Sequence, residues 1–196
     1  MTPRDTETLG LLALIELQAS RLRARVTPSG TPILLMDQDR TRWDRLLIRR
    51  GLTNLDRIER LGGTGGNYAL QAAIAACHAR ALRPGDTDWE RIAALYDALA
   101  RLTPSPVVEL NRGVAHAQAF GPAAGLAVVR PLFEVPGMTD YHLLSAVTGD
   151  LLCRSGDHVA ARDHFLRAAS MTQNAAERLT MRGRAADCAA TPPATP

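Results

Sequence analysis

The sequence predicts an all-α fold: a right-handed α-solenoid of helix pairs preceded by a small helical subdomain. Three observations carry this. Of 196 residues, 32 are Ala and 27 are Leu, both strong helix formers. Aromatic residues make up only 4% and β-branched residues are scarce, too little for a large sheet. Turn residues recur at intervals that cut the chain into segments of about 10 to 20 residues, an ordinary helix length.

The elements follow in order. Thr2-Pro3-Arg4-Asp5 offers a cap, a proline at the first helical position and an acid three residues on, which opens a helix running to about Arg25. Pro28, Gly30 and Pro32 break the next stretch, Val26–Met36, into a loop or a very short hairpin around Pro28-Ser29-Gly30. Asp37–Arg50 reads as a helix with Trp43, Leu46 and Leu47 on one face, ended or kinked at Gly51. Leu52, Leu55, Ile58 and Leu61 continue a weaker stripe. The run Gly62-Gly63-Thr64-Gly65-Gly66 is the candidate hinge. The predicted division is therefore a helical subdomain over 1–61, a hinge over 62–66, a repeat domain over 67–188 and a frayed tail over 189–196.

Seven helices are expected after the hinge: Tyr68–Ala81, Trp89–Leu102, Pro106–Ala119, Pro122–Leu132, Thr139–Arg154, Asp157–Met171 and Ala175–Asp187. Pro84-Gly85-Asp86, Gly121-Pro122, Pro136-Gly137 and Ser155-Gly156-Asp157 supply turns between them. Asn174 with Glu177 forms a cap pair for the last helix. A tetratricopeptide unit of about 34 residues needs small residues where its two helices cross. Counting from His142 puts Gly149, Ala161, Phe165 and Ala168 at the positions where such a unit wants small, small, aromatic and small. A shift of 34 residues gives Ala115 and Ala127 at the crossing, with Pro131 in the aromatic place. The Tyr68–Leu102 pair has the same shape with an expanded turn. A generic alanine-rich bundle is the competing architecture.

Composition excludes several functions. All 23 basic residues are Arg and none is Lys, which removes every lysine-based mechanism. The net charge of +3 is too small to mark a general polyanion binder. No apolar run reaches the length of a membrane span. Leu9–Leu17 resembles a signal core, but Glu16 interrupts it and no cleavage site follows. Three scattered cysteines, Cys77, Cys153 and Cys188, suit a reducing cytoplasm.

Chemistry-bearing patterns are few. Asp37-Gln38-Asp39 is a D-x-D pair that can hold a divalent cation, but Arg40 and Arg42 beside it compete through carboxylate pairing. An acidic helix start is the simpler reading. Cys77-His78, and His158 with His164, lack metal-ligand spacing, and His78, His116 and His142 read as packed or rim histidines. No G-x-S-x-G occurs, and the glycine run lacks a phosphate-loop ending. Residues 21–60 hold ten Arg against five acids. Their alternation with Asp37, Asp39, Asp44, Asp56 and Glu59 points to a salt-bridge network or a protein interface rather than a nucleic-acid patch.

The run Leu34-Leu35-Met36-Asp37-Gln38-Asp39-Arg40-Thr41-Arg42-Trp43-Asp44-Arg45 resembles the D-Q-D-R-[ST]-R-W motif of one group of bacterial RNA polymerase sigma factors. These are the extracytoplasmic-function members of the sigma-70 family with a long C-terminal tetratricopeptide-like extension. Tyr68–Ala76, Thr87-Asp88-Trp89 with Leu95-Tyr96-Asp97, Pro104–Arg112, Tyr141–Leu144 and Asn174–Arg178 agree in the same order. The resemblance covers nearly the whole chain. Such sigma factors begin with regions that melt and read the promoter, and neither lies in these 196 residues. The likeness is therefore to the C-terminal part alone.

What the resemblance implies is a non-enzymatic regulatory domain that controls transcription initiation. Its partners are the sigma-factor core regions or RNA polymerase, with no cofactor, no metal and no specific DNA binding by this chain alone. Asp37, Gln38, Asp39, Arg40, Arg42, Trp43 and Asp44 are the expected partner-binding residues. A stand-alone tetratricopeptide-like adaptor is the alternative, and a metal-dependent enzyme using Asp37 and Asp39 the remote one.

Overall fold

A computed structural model of the chain describes residues 3–28, 30 and 32–190, with side chains described from residue 6 onward. The expected Thr2 cap, Ser29 at the hairpin tip and tail residues 191–196 lie outside them. Among the described residues there are nine α-helices and no strand, so the fold is all-α. A single antiparallel bridge, Val26 to Pro32, closes the short hairpin. No helix among these residues is long and apolar enough to cross a membrane.

The chain forms two compact units, Met1–Thr103 and Pro104–Pro196. The boundary is not at the glycine run, and the reason is the first helix. In unit one, α1 (Pro3–Ala19) packs along both α2 (Arg45–Arg60) and α3 (Asn67–Arg80), and α4 (Trp89–Leu102) packs on α3. Glycines set these distances. A Cβ on Gly10 would lie 2.7 Å from the Ala69 amide nitrogen, and one on Gly51 would lie 2.7 Å from Leu17 Cγ. Glycine inside a helix costs about 1 kcal/mol against alanine, and here it permits backbone-to-backbone approach. Gly51 does not end its helix: α2 continues through it to Arg60.

The Gly62–Gly66 run is a packed turn rather than a hinge. Gly62, at φ +71°, closes a Schellman cap on α2, with Gly62 N–H on the Glu59 carbonyl at 2.9 Å and Gly63 N–H on the Ile58 carbonyl at 3.0 Å. A Cβ on Gly63 or Gly66 would collide with Thr6 or Glu7 of α1. Glu7 accepts from the Tyr68 N–H at 3.3 Å, placing a carboxylate at the positive end of α3. Glu16, which interrupts the apolar run of α1, is buried, forms an ion pair with Arg50 Nε at 2.7 Å and accepts from Asn54 Nδ2 at 3.1 Å, both on α2.

Unit two holds α5 (Pro106–Phe120), α6 (Pro122–Val129) with a 3₁₀ extension over Arg130–Glu134, α7 (His142–Arg154), α8 (His158–Met171) and α9 (Ala175–Ala190). The helices pair as α5/α6 and α7/α8, and α9 lies on α8. Gly149 sits at the α7/α8 crossing: a Cβ there would meet Phe165 at 3.0 Å and the Ala161 carbonyl at 3.2 Å. The α5/α6 crossing repeats this with Gly113 against Val129 and the Gly125 carbonyl. Equivalent residues (113 and 149, 125 and 161, 129 and 165) are thus 36 positions apart, not 34. Ala127, expected at the crossing, is exposed, and Val129 rather than Pro131 fills the aromatic place. At the start of α9, Asn174 Oδ1 accepts from the Ala176 N–H at 2.9 Å, while Glu177 turns to the Thr172 hydroxyl at 2.7 Å.

Candidate functional site

The D-Q-D-R segment is not the start of a helix. It consists of two 3₁₀ turns, Leu35–Asp37 and Arg40–Arg42, joined by extended backbone at Gln38 and Asp39. Asp39 accepts from the Thr41 N–H at 2.9 Å and the Thr41 hydroxyl at 2.6 Å. Asp44 accepts from the N–H groups of Leu46 and Leu47 at 2.9 and 3.1 Å and starts α2. Short acids that bond the backbone two or three residues on compete with helix propagation, so the helix begins after the motif. Trp43 therefore shares no face with Leu46, which is 59% exposed.

This backbone sorts the motif into two sides. Gln38, Arg40 and Trp43 point inward, at 7%, 4% and 3% exposure, while Asp37, Asp39, Thr41, Arg42 and Asp44 remain exposed. Three of the seven residues expected to touch a partner are thus internal. Gln38 Nε2 donates to the Ile33 carbonyl at 3.1 Å and holds the turn against the hairpin. Arg40 reaches further. One of its terminal nitrogens donates to the carbonyls of His78 and Ala81 at 2.9 and 2.8 Å, and the other to the Thr87 hydroxyl at 3.1 Å. Those carbonyls end α3, so the guanidinium caps the negative end of that helix.

Two guanidiniums lie over the Trp43 ring, with Arg40 Cζ 5.1 Å and Arg21 Cζ 5.8 Å from its centroid. Both distances fall within cation–π range. Arg21 and Arg25 also share the Gln18 side chain. Burial, aided by Arg25 and Arg40, brings the Arg21 pKa down to about 10, still protonated at neutral pH. His78 packs edge-on against Trp89 at 5.2 Å. Burial, then the charges of Arg21 and Arg40, bring its pKa down to about 4, so it is neutral at pH 7. Arg21, Arg25 and Arg40 thus bind an indole, an amide and helix-end carbonyls rather than the neighbouring acids, while Arg50 pairs with Glu16.

On the outer side, Arg23, Thr41, Arg42 and Asp44 line a shallow depression whose floor includes Trp43. Leu34 and Leu46 stand exposed nearby in sequence. The Thr41 hydrogen bonds hold Asp39 below the usual carboxylate range. Arg40 does not neutralise the D-x-D pair as expected, because its guanidinium is turned inward. Among the described residues, the three side chains that converge in metal-ligand fashion lie elsewhere: Cys153, His158 and Cys188.

Sequence spacing missed Arg21, His78, Ala81 and Thr87, which complete the inner side of the motif. The Arg40 partners are 38, 41 and 47 residues away, and no local pattern encodes such pairs.

Residues 1–59 match a family of unknown function (DUF6596). The match takes in α1, the two 3₁₀ turns and nearly all of α2. An uncharacterized protein of Rhizobium meliloti (strain 1021) is 46% identical over 190 residues, a region that makes up 97% of this chain and 44% of that protein. The chain therefore spans less than half of this relative, while the likeness runs through both units. No solved structure matches the chain.

Proposed function

We propose that this chain is the regulatory, protein-interaction part of an extracytoplasmic-function sigma factor, acting on transcription initiation through contacts with the sigma core or RNA polymerase. The observation that carries the reading is the two-sidedness of the D-Q-D-R segment. Its inner residues brace unit one, and its outer residues, Asp37, Asp39, Arg42 and Asp44, present charge on a rigid 3₁₀ frame beside exposed Leu34 and Leu46. Fixed charges around a small apolar centre suit docking to another protein and its orientation. The helix pairs of unit two, tetratricopeptide-like in this reading, support a scaffolding role rather than catalysis. The likeness to the Rhizobium protein takes up 44% of its length, compatible with an extension joined to other regions. Under this reading the chain works in the cytoplasm, needs no cofactor for its docking and does not bind promoter DNA specifically by itself.

The test immobilises the whole chain and offers it core RNA polymerase and, separately, purified promoter-reading regions of an extracytoplasmic-function sigma factor from the same cell. Retention of either, lost on Asp39→Asn with Arg42→Ala while helicity stays unchanged, supports the proposal. Retention of neither by the unaltered chain overturns it and leaves the stand-alone adaptor as the better reading of unit two.

A further inference from the structure

The last turns of α7 and α9 and the first residue of α8 bring together three side chains that no metal-binding sequence motif connects. Cys153 lies in the final turn of α7, His158 opens α8, and Cys188 lies in the final turn of α9. The α7–α8 turn is a Schellman motif. Gly156, at φ +86°, donates to the Cys153 carbonyl at 3.0 Å, and Asp157 N–H donates to the Leu152 carbonyl at 3.0 Å. Asp157 then caps α8 by accepting from Ala160 N–H at 3.1 Å. That tight reversal turns His158 back onto Cys153, with Nδ1 to Sγ 3.7 Å. Cys188 closes the group from α9, with its Sγ 3.6 Å from that of Cys153. The three donor atoms lie within 4.8 Å of one another.

We propose that Cys153, His158 and Cys188 form a metal site for a thiolate-seeking d¹⁰ cation, Zn(II), that ties the last turn of α9 to the α7–α8 turn. Two of the three donor distances are those of a tetrahedron's edges, and the third, between His158 and Cys188, is within 4.8 Å. With Zn–S about 2.3 Å and Zn–N about 2.0–2.1 Å, tetrahedral angles place sulfurs about 3.8 Å apart and sulfur and nitrogen about 3.6 Å apart. The structure has 3.6 and 3.7 Å. Two thiolates and an imidazole are a soft donor set that selects zinc-like ions over magnesium or calcium. Each cysteine passes its thiol proton to solvent as its Sγ–metal bond forms, His158 contributes the Nδ1 lone pair, and no electron is transferred. The fourth position opens on a surface cleft lined by Gly156, Asp157, Arg162 and Ala189, where water or a group from a partner completes the tetrahedron.

A disulfide accounts for less. The sulfurs would have to close to about 2.05 Å, an oxidant would be needed, and His158 would have no part in it. The clasp also has a mechanical purpose. Ala185 and Cys188 are the buried residues of α9, and Arg184 pairs with Asp150 of α7, so a bond at Cys188 would add a second tie at the far end of the helix. This inference is independent of the sigma-factor reading.

The experiment titrates the full, reduced chain with Co(II), followed by Zn(II). The expected result is one Co(II) per chain, with thiolate charge-transfer absorption and the intense visible bands of a tetrahedral site, both erased by Zn(II). Zn(II) should also raise the melting temperature of the unaltered chain. Cys188→Ser and Cys153→Ser should lose the absorption and the melting shift. His158→Ala, at a partly exposed position, should stay folded and bind more weakly with altered visible bands. Cys77→Ala in unit one should keep the site. The proposal is overturned by a reduced chain that gives no thiolate–cobalt absorption. It is equally overturned if the Cys153→Ser/Cys188→Ser double variant binds with unchanged stoichiometry, or if the thiols join in air at the same rate with and without Zn(II).

Discussion

Arg40 donates to the His78 carbonyl at 2.9 Å, across 38 residues of sequence, and the same nitrogen reaches the Ala81 carbonyl at 2.8 Å. The arginine of the D-Q-D-R motif is thereby the C-terminal cap of α3. A residue that reads from sequence as a surface charge is a structural brace, and the outward character of the motif belongs to its neighbours.

Arg40→Met should destabilise unit one by about 2–6 kcal/mol, since each of the two carbonyls left bare costs about 1–3 kcal/mol. Arg40→Lys should recover part of this, because an ammonium keeps the charge but lacks the planar fork that reaches both α3 and Thr87. Urea unfolding at neutral pH measures both. Equal midpoints for all three proteins would show that the cap contributes nothing.

His78 makes stability depend on pH. Its pKa is about 4 in the folded chain and about 6.5 when unfolded. Between these values the unfolded chain holds a proton that the native chain does not. Stability is therefore full above about pH 6.5 and falls as the pH drops toward 4, by at most about 3 kcal/mol at about 1.4 kcal/mol per pKa unit. His78→Phe keeps a ring against Trp89 and should flatten the slope measured by denaturant titration from pH 7.5 to 5.

The outer acids and Arg42 should separate folding from docking. Asp44→Ala removes the N-cap of α2 and should cost about 1 kcal/mol, with Asp44→Ser restoring most of it. Arg42→Ala, at an exposed position, should stay within about 0.5 kcal/mol. Thermal melts of the three variants check this ranking, and a large loss in Arg42→Ala would move that residue to the structural side of the motif.

The 36-residue spacing of the helix pairs is open to direct test. Gly149→Leu and Gly125→Leu should each overpack a crossing and cost about 1–3 kcal/mol. Ala127→Leu, at the position a 34-residue spacing would have put in the crossing, should be nearly neutral. Melting temperatures in the reverse order would restore the shorter spacing.

The helices from residue 67 to 171 were legible because their ends are local. Prolines 106 and 122 at first helical positions, Asp88 and Asp157 as N-caps and Gly156 as a left-handed stop all act within about five residues of sequence. The crossing of Gly149 with Ala161 was legible too, since both belong to one helix pair.

Within the motif, the sequence by itself determined which residue types are present and that a tryptophan anchors them. It misread their conformation, because Asp39 and Asp44 serve as turn and cap acceptors, and an acidic helix start has the same composition. Only the tertiary structure decided which way each residue faces. Arg40 turns inward because the carbonyls that end α3, 38 and 41 residues away in sequence, lie within reach of its guanidinium. Cys153 and Cys188, 35 residues apart, meet because α9 folds back along α8. Such pairings depend on where whole helices lie, and that is settled by the burial of many side chains together rather than by any short run of residues.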